Sequence, residues 1–233
     1  FSSFSIFGKR VHYFRNLRSS LRNSTRQVLF PELPATGYIE DRARVLANFL
    51  AHISADRIDL IAHSMGGLDC RYLIHHLDPM HRVRSLTTVA TPHHGSPLAK
   101  WTIEGSDMCF RLMHSISTPA VNDLTPESCA RFNIEISNRK DVRYCSYAST
   151  RCPTDMSFIL RSWGNKIAAN SGDNDGMVPV ASAQWGEFRD VLQADHFELT
   201  GWSFAWPDAR KARPFNHLQF YLNLVRELTE NHS

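Results

Sequence analysis

The stretch Ile58 to Gly67 (IDLIAHSMGG) runs a hydrophobic segment into a small-x-Ser-x-Gly turn and then into a helix-forming segment. A serine at such a strand–turn–helix junction is held in a strained conformation with its Oγ clear of the backbone. The same turn aims the next N–H, that of Met65, and the helix N-terminus at a developing oxyanion. Small residues are needed two before and two after the serine, because strand end and helix start nearly touch there. Ala62 and Gly66 meet that condition. The chemistry implied is nucleophilic attack by Ser64, with Met65 as an oxyanion donor. The plainer reading is a strand–helix turn with serine as N-cap.

A serine nucleophile needs a base, and the chain has 12 histidines. His63 adjoins the serine and is expected to point away from it. His75 and His76 lie on the following helix, His81 in a turn, and His93 and His94 in a Pro-flanked loop. His217 falls off the apolar stripe of the last helix and is read as solvated. His196 fits best, because it follows the last predicted strand at the sheet's carboxyl edge. The orienting acid must lie between them in chain order. Asp175 does so, in a Gly172–Pro179 loop, and Asp173 is its main competitor; either is also ordinary turn chemistry. A buried carboxylate there would bind the His Nδ1–H and stabilise the imidazolium.

These residues must be positioned by a scaffold. Strands are predicted at 27–30, 57–62, 83–90, 142–147 and 188–193, and helices at 10–22, 38–53, 65–77 and 215–228. Alternation at this pace predicts an α/β fold with a mostly parallel sheet and helices on both faces. Residues 92–140 break the rhythm and read as a helical insertion, with a cap or lid over 97–132.

Composition agrees with one folded domain over 1–233. The chain is 42% hydrophobic and 21% charged, which excludes wholesale disorder. No run approaches the roughly 20 apolar residues of a membrane helix, so no transmembrane segment is expected. A formal charge of +3, spread along the chain, gives no case for nucleic acid. Of five cysteines, no pair has the spacing of a zinc site. A disulfide among Cys109, Cys129, Cys145 and Cys152 is left open, as is the compartment. Asn23 and Asn231 head glycosylation sequons that are weak signs of secretion.

With these residues in view, the chain resembles the true lipases, the triacylglycerol lipases of bacterial and fungal type, which are α/β-hydrolases. Tyr13-Phe14 with Leu17, then Gly37 to Ala43 (GYIEDRA), resembles their stretch before the serine turn. Thr91 to Ser96 (TPHHGS) resembles their segment after the next strand. Leu124 to Glu127 with Phe132-Asn133 resembles their cap helix. Asn174 to Val178 (NDGMV) resembles the acid loop and Asp195 to Glu198 (DHFE) the histidine loop. The match is collinear over nearly the whole chain. It carries the catalytic acid onto Asp175 and the base onto His196.

Two departures accompany it. The family's strand ending in His-Gly-hydrophobic, which supplies the other oxyanion N–H, is absent, so the chain is expected to be truncated at its N-terminus, with its first strands missing. Bacterial members hold a structural calcium through an Asp two residues after the histidine, and here that position is Glu198. Asp155 and Glu198 are read chiefly as surface carboxylates, and no metal is assigned.

The expected function is a serine ester hydrolase cleaving acyl esters of glycerolipids through Ser64, Asp175 and His196, without a cofactor. Its partner is a lipid or acyl-ester substrate at a lipid–water interface. Alternatives on the same triad are a soluble carboxylesterase, a thioesterase or an acyltransferase; a rival of another class is a non-catalytic lipid-binding relative. Leu98, Trp101, Ile103, Met108, Phe110, Leu112, Met113 and Ile116 are expected to make the insertion a lid or acyl-chain wall. A plain cover over the sheet accounts for them equally well.

Overall fold

The structure is a computed structural model that describes residues 3–6, 9–22, 24, 27–34, 37–105, 119–204 and 213–230. At its centre are four parallel strands, β3 (Ile58–His63), β4 (Val83–Val89), β5 (Arg143–Thr150) and β6 (Glu187–Gln193), hydrogen-bonded in that order. Parallel neighbours require crossovers, and helices supply them on both faces. On one face α2 (Ile39–Ala51), α3 (Gly66–Tyr72) and the π-helical turn Leu73–Leu77 that continues it cover the sheet through Ala43, Leu46, Leu50, Cys70, Leu73 and Ile74. On the other, α1 (Leu17–Ser20) and α7 (His217–Glu230) cover it through Leu17, Leu21, Tyr221 and Leu224. Burial on both faces explains why β4 reads as a nearly continuous buried run, and not as an alternating one.

The edge strand β6 carries Glu187, Arg189 and Asp190, which keep an open edge from pairing with another chain. The β3 edge differs: no described strand pairs with its far side. A largely apolar groove of about 480 Å³ runs along it, between Leu17, Leu21 and Phe30 on one wall and Leu46 and Phe49 on the other, and ends at His63 and Ser64.

Two predicted elements are corrected. Residues 10–22 are not one helix. Lys9–His12 form β2, antiparallel to β1 (Ser3–Ile6), and only Leu17–Ser20 is helical. The helical spacing of Phe14, Leu17 and Leu21 is real, but it comes from a chain wrapped over the sheet, with all three packed in one cluster. Residues 27–30 form no strand. Val28 and Phe30 are inserted into that same cluster, and with Pro31 and Pro34 close by the segment is held instead by side-chain donors: Arg18 Nη2 to the Phe30 carbonyl at 3.4 Å and Arg42 Nη1 to the Pro34 carbonyl.

In the 97–132 region, α4 (Pro97–Glu104) and α5 (Pro126–Glu135) flank residues 106–118, which lie outside the described residues together with Met108, Phe110, Leu112, Met113 and Ile116. Ser96 and Thr125 cap the two helices by accepting from Leu98 N and Ser128 N, each ahead of a first-turn proline. Leu98 and Trp101 pack on Ile167 and Trp163 of α6 (Phe158–Ser171) and on Met177. They tie α4 to the body of the domain. Asn23, Asn231 and Cys109 also lie outside the described residues; Cys129, Cys145 and Cys152 are free thiols.

Candidate active site

Ser64 follows the last residue of β3 and has φ 56°, a left-handed conformation in keeping with the strain expected at this turn. Its N–H donates to Val89 O (3.0 Å) and its carbonyl accepts from Thr91 Oγ1 (2.7 Å), so the turn is bolted to the end of β4. An added Cβ on Gly66 would sit 3.8 Å from that of Ala62, ordinary contact. The tighter constraint is one residue on. A Cβ on Gly67 would come within 2.7 Å of Thr91 Cγ2 and 2.8 Å of Thr88 Cγ2. The helix start therefore presses on the β4 end harder than on the β3 end, which the sequence reading did not foresee.

Three loops at the carboxyl edge of the sheet bring the predicted residues together. His196 Nε2 lies 3.0 Å from Ser64 Oγ, and His196 Nδ1 lies 2.8 Å from Asp175 Oδ2. Asp175 is fully buried. Its Oδ1 accepts from the Met177 and Val178 N–H groups (2.9 and 2.7 Å), and its Oδ2 also accepts from Ser149 Oγ (2.8 Å). Four donors thus fix an acceptor-only carboxylate, and His196 N donates to the Asp175 carbonyl at 3.0 Å. The competitor Asp173 is exposed, and its carbonyl accepts from Val180 N (2.8 Å). Asn174 holds the loop, donating to Gly164 O and Gly172 O and accepting from Gly176 N. Other described histidines bond elsewhere: His93 is buried against Trp185 and Thr88, His75 bonds Ser137 O, and His81 pairs with Asp141.

His63 and His217 depart from expectation. His63 does not point away from the site. Its ring lies 4.6 Å from that of His196, centroid to centroid, and its Nδ1 is 2.8 Å from the Tyr13 hydroxyl. Burial, and then the neighbouring His196, hold its pKa well below the ordinary histidine value. His217 is half-buried against Gly201, with Nε2 2.8 Å from Arg15 O. The side chain turns from the α7 stripe and is tied to the Arg15 backbone at a solvent-accessible position.

Glu198 is not a surface carboxylate. It is 3% exposed and paired with Arg151, whose Nε and Nη2 donate to Oε2 at 2.9 and 2.8 Å. Its Oε2 also accepts from Asp195 N and its Oε1 from Phe215 N. Sequence reasoning missed both Arg151 and Asp195. Asp195 caps the turn carrying His196, accepting from Phe197 N and Glu198 N at Oδ1 and from Ser157 N and Oγ at Oδ2. Burial raises its carboxyl above the usual range. The clue was DHFE itself, an Asp placed to cap the residues that follow it. Arg42 was also missed: on the apolar face of α2, it donates three hydrogen bonds to buried Asp69 of α3. Among the described residues no group of three or more His, Cys, Asp or Glu is arranged to hold a metal ion.

Residues 15–106 match the alpha/beta hydrolase fold family. Over 239 residues the chain is 32% identical to triacylglycerol lipase 2 of Saccharomyces cerevisiae, covering 94% of this chain and 73% of the relative. Its backbone superposes on a metagenomic carboxyl esterase with TM-score 0.80 at 21% identity, over 94% of this chain and 70% of that one. It superposes on the lipase of Staphylococcus hyicus with TM-score 0.73 at 16% identity, over 100% and 95%. No helix among the described residues is long and apolar enough to cross a membrane. With a serine turn, an α/β sheet and a lipase relative that matches 94% of this chain at 32% identity, the chain belongs to the triacylglycerol lipase family of α/β-hydrolases and is a carboxylic ester hydrolase of lipase/esterase type.

Proposed function

We propose that the protein hydrolyses acyl esters of glycerolipids with Ser64 as nucleophile, His196 as general base and acid, and Asp175 as the orienting carboxylate. The observation that carries this reading is the unbroken line of contacts Asp175 Oδ2–His196 Nδ1 (2.8 Å) and His196 Nε2–Ser64 Oγ (3.0 Å), made by residues 21 and 132 positions apart respectively. Ser64 Oγ attacks the acyl carbonyl carbon while its proton passes to His196 Nε2. The carbonyl oxygen becomes an oxyanion facing the Met65 N–H, for which no backbone carbonyl competes among the described residues. Collapse expels the alcohol, which takes the proton from His196 Nε2. Water then attacks the acyl-enzyme by the same relay, releasing the fatty acid and restoring Ser64. Asp175 accepts from His196 Nδ1–H and so fixes the imidazole tautomer.

The glycerolipid assignment is supported by the lipase relative, and the 97–132 segment is proposed as a cap over the site. A chain-length series of p-nitrophenyl esters, with emulsified triacylglycerol alongside, tests the substrate class. Turnover that rises toward long acyl chains and at the emulsion surface is expected. Turnover confined to short soluble esters would make the protein a soluble carboxylesterase, and none on any ester would make it a non-catalytic relative.

A further inference from the structure

His63 is the residue before Ser64, 7% exposed, and its imidazole lies 4.6 Å from that of His196 at an interplanar angle of 43°. The Phe14 ring stands edge-on at 6.2 Å, and Tyr13 approaches to 5.8 Å with its hydroxyl on Nδ1. The other ring nitrogen, Nε2, is buried with no hydrogen-bond partner among the described residues. Leaving a buried nitrogen unpaired is unfavourable, so packing alone does not account for a histidine at this position. Among the described residues, the one polar tie of its side chain is to Tyr13.

Tyr13 is in turn fastened to the segment that follows His196. Trp202 Nε1 donates to the Tyr13 carbonyl (2.9 Å) and Arg15 N to Thr200 O (2.9 Å), while the Arg15 carbonyl meets His217 Nε2 (2.8 Å). The contacts close a ring: His196 rests on His63, His63 is tied to Tyr13, and Tyr13 is latched to Trp202, six residues beyond His196.

We infer that His63, locked by Tyr13, is a positioning residue that sets the ring plane of His196. The inference rests on the triad proposed above. The Asp175 bond fixes Nδ1 but leaves the imidazole free to swing about that contact. Nε2 must face Ser64, then the leaving alcohol, then water, without swinging away. A flat neighbour held against the ring supplies the second constraint. It must also be uncharged, since a cation at His63 would oppose the imidazolium that forms on His196. Burial keeps it neutral.

The test is a double-mutant cycle on kcat and KM with a soluble ester, with thermal unfolding of each variant and Ser64→Ala in the same assay. Tyr13→Phe and His63→Phe each keep a ring and remove the tie. Each is expected to lower kcat on the order of 10-fold with KM within about twofold, and the double variant is expected to be no slower than either single one. His63→Ala, which also removes the wall, is expected to lose on the order of 100-fold. Multiplying losses in the double variant, or wild-type kcat in Tyr13→Phe, would overturn the inference. So would a loss of stability that leaves kcat untouched. If His63→Ala does not fold, the two ring-preserving variants decide alone. Turnover that survives Ser64→Ala would instead strike down the triad, a separate failure.

Discussion

Arg151 and Glu198 form a buried ion pair, Nη2 to Oε2 at 2.8 Å, directly behind the loop that carries His196. Both side chains are almost wholly enclosed, at 6% and 2% exposure. Glu198 also accepts from the backbone of Asp195 and Phe215, so one carboxylate joins the end of β5, the histidine loop and the approach to α7. Breaking such a pair strands a buried charge, at a cost of about 3–5 kcal/mol. Arg151→Ala is expected to lose stability in that range by denaturant unfolding, and to lose activity as the histidine loop slackens. A variant as stable as the parent would show that the pair is not the loop's anchor.

The serine turn sets a contrast between adjacent glycines. Gly66→Ala adds a methyl at 3.8 Å from Ala62 and is expected to fold and retain most activity. Gly67→Ala drives a methyl into Thr88 and Thr91, and overpacking of this kind costs about 1–3 kcal/mol. It should lower the unfolding midpoint and, by moving the turn, kcat as well. Equal behaviour of the two variants would contradict the packing described.

Asp175 and Asp173 separate in the same manner. Asp175→Asn removes the acceptor that sets the imidazole tautomer, and kcat is expected to fall on the order of 10⁴-fold with little loss of fold. Asp173→Asn, at an exposed position, should stay near the parent. Steady-state kinetics on one soluble ester distinguishes them, and the reverse ranking would exclude Asp175 as the orienting acid.

Two buried histidines couple stability to pH. His63 and His93 are both held well below the ordinary histidine pKa, in each case chiefly by burial, with His196 and Arg71 respectively as the next cause. The unfolded chain therefore takes up protons below about pH 6.5 that the folded chain refuses. The stabilisation is present above that value and is lost as pH falls below it, by up to about 1.4 kcal/mol per pH unit for each histidine. Urea midpoints between pH 7.5 and 5.5 should drop, and His93→Gln should flatten the decline. An unchanged slope in that variant would contradict a neutral His93.

The three residues of the proposed triad stand out in the sequence because each carries a local signature that survives without tertiary context: a strand–Ser–helix junction, an Asp before Gly in the right interval, and a His after the last strand. The parallel sheet was legible for the same reason, since β3, β4 and β5 are short runs carrying β-branched or aromatic residues and separated by helical segments. What was not legible depends on pairing across long distances. Arg42 with Asp69, 27 residues apart, and Arg151 with Glu198, 47 apart, read in sequence as ordinary charges. His63 read as a bystander because strand alternation assigns it a side but says nothing of what stands on that side. Residues 27–30 read as a strand from local β-propensity, which packing against Leu17 and Leu21 overrides.

The most direct test of the central claim is labelling by an active-serine phosphonate, with the modified peptide mapped by mass spectrometry. The account predicts a single adduct on Ser64, lost in Ser64→Ala and strongly slowed in His196→Ala. An adduct on another residue, or undiminished labelling and ester turnover in Ser64→Ala, would contradict it.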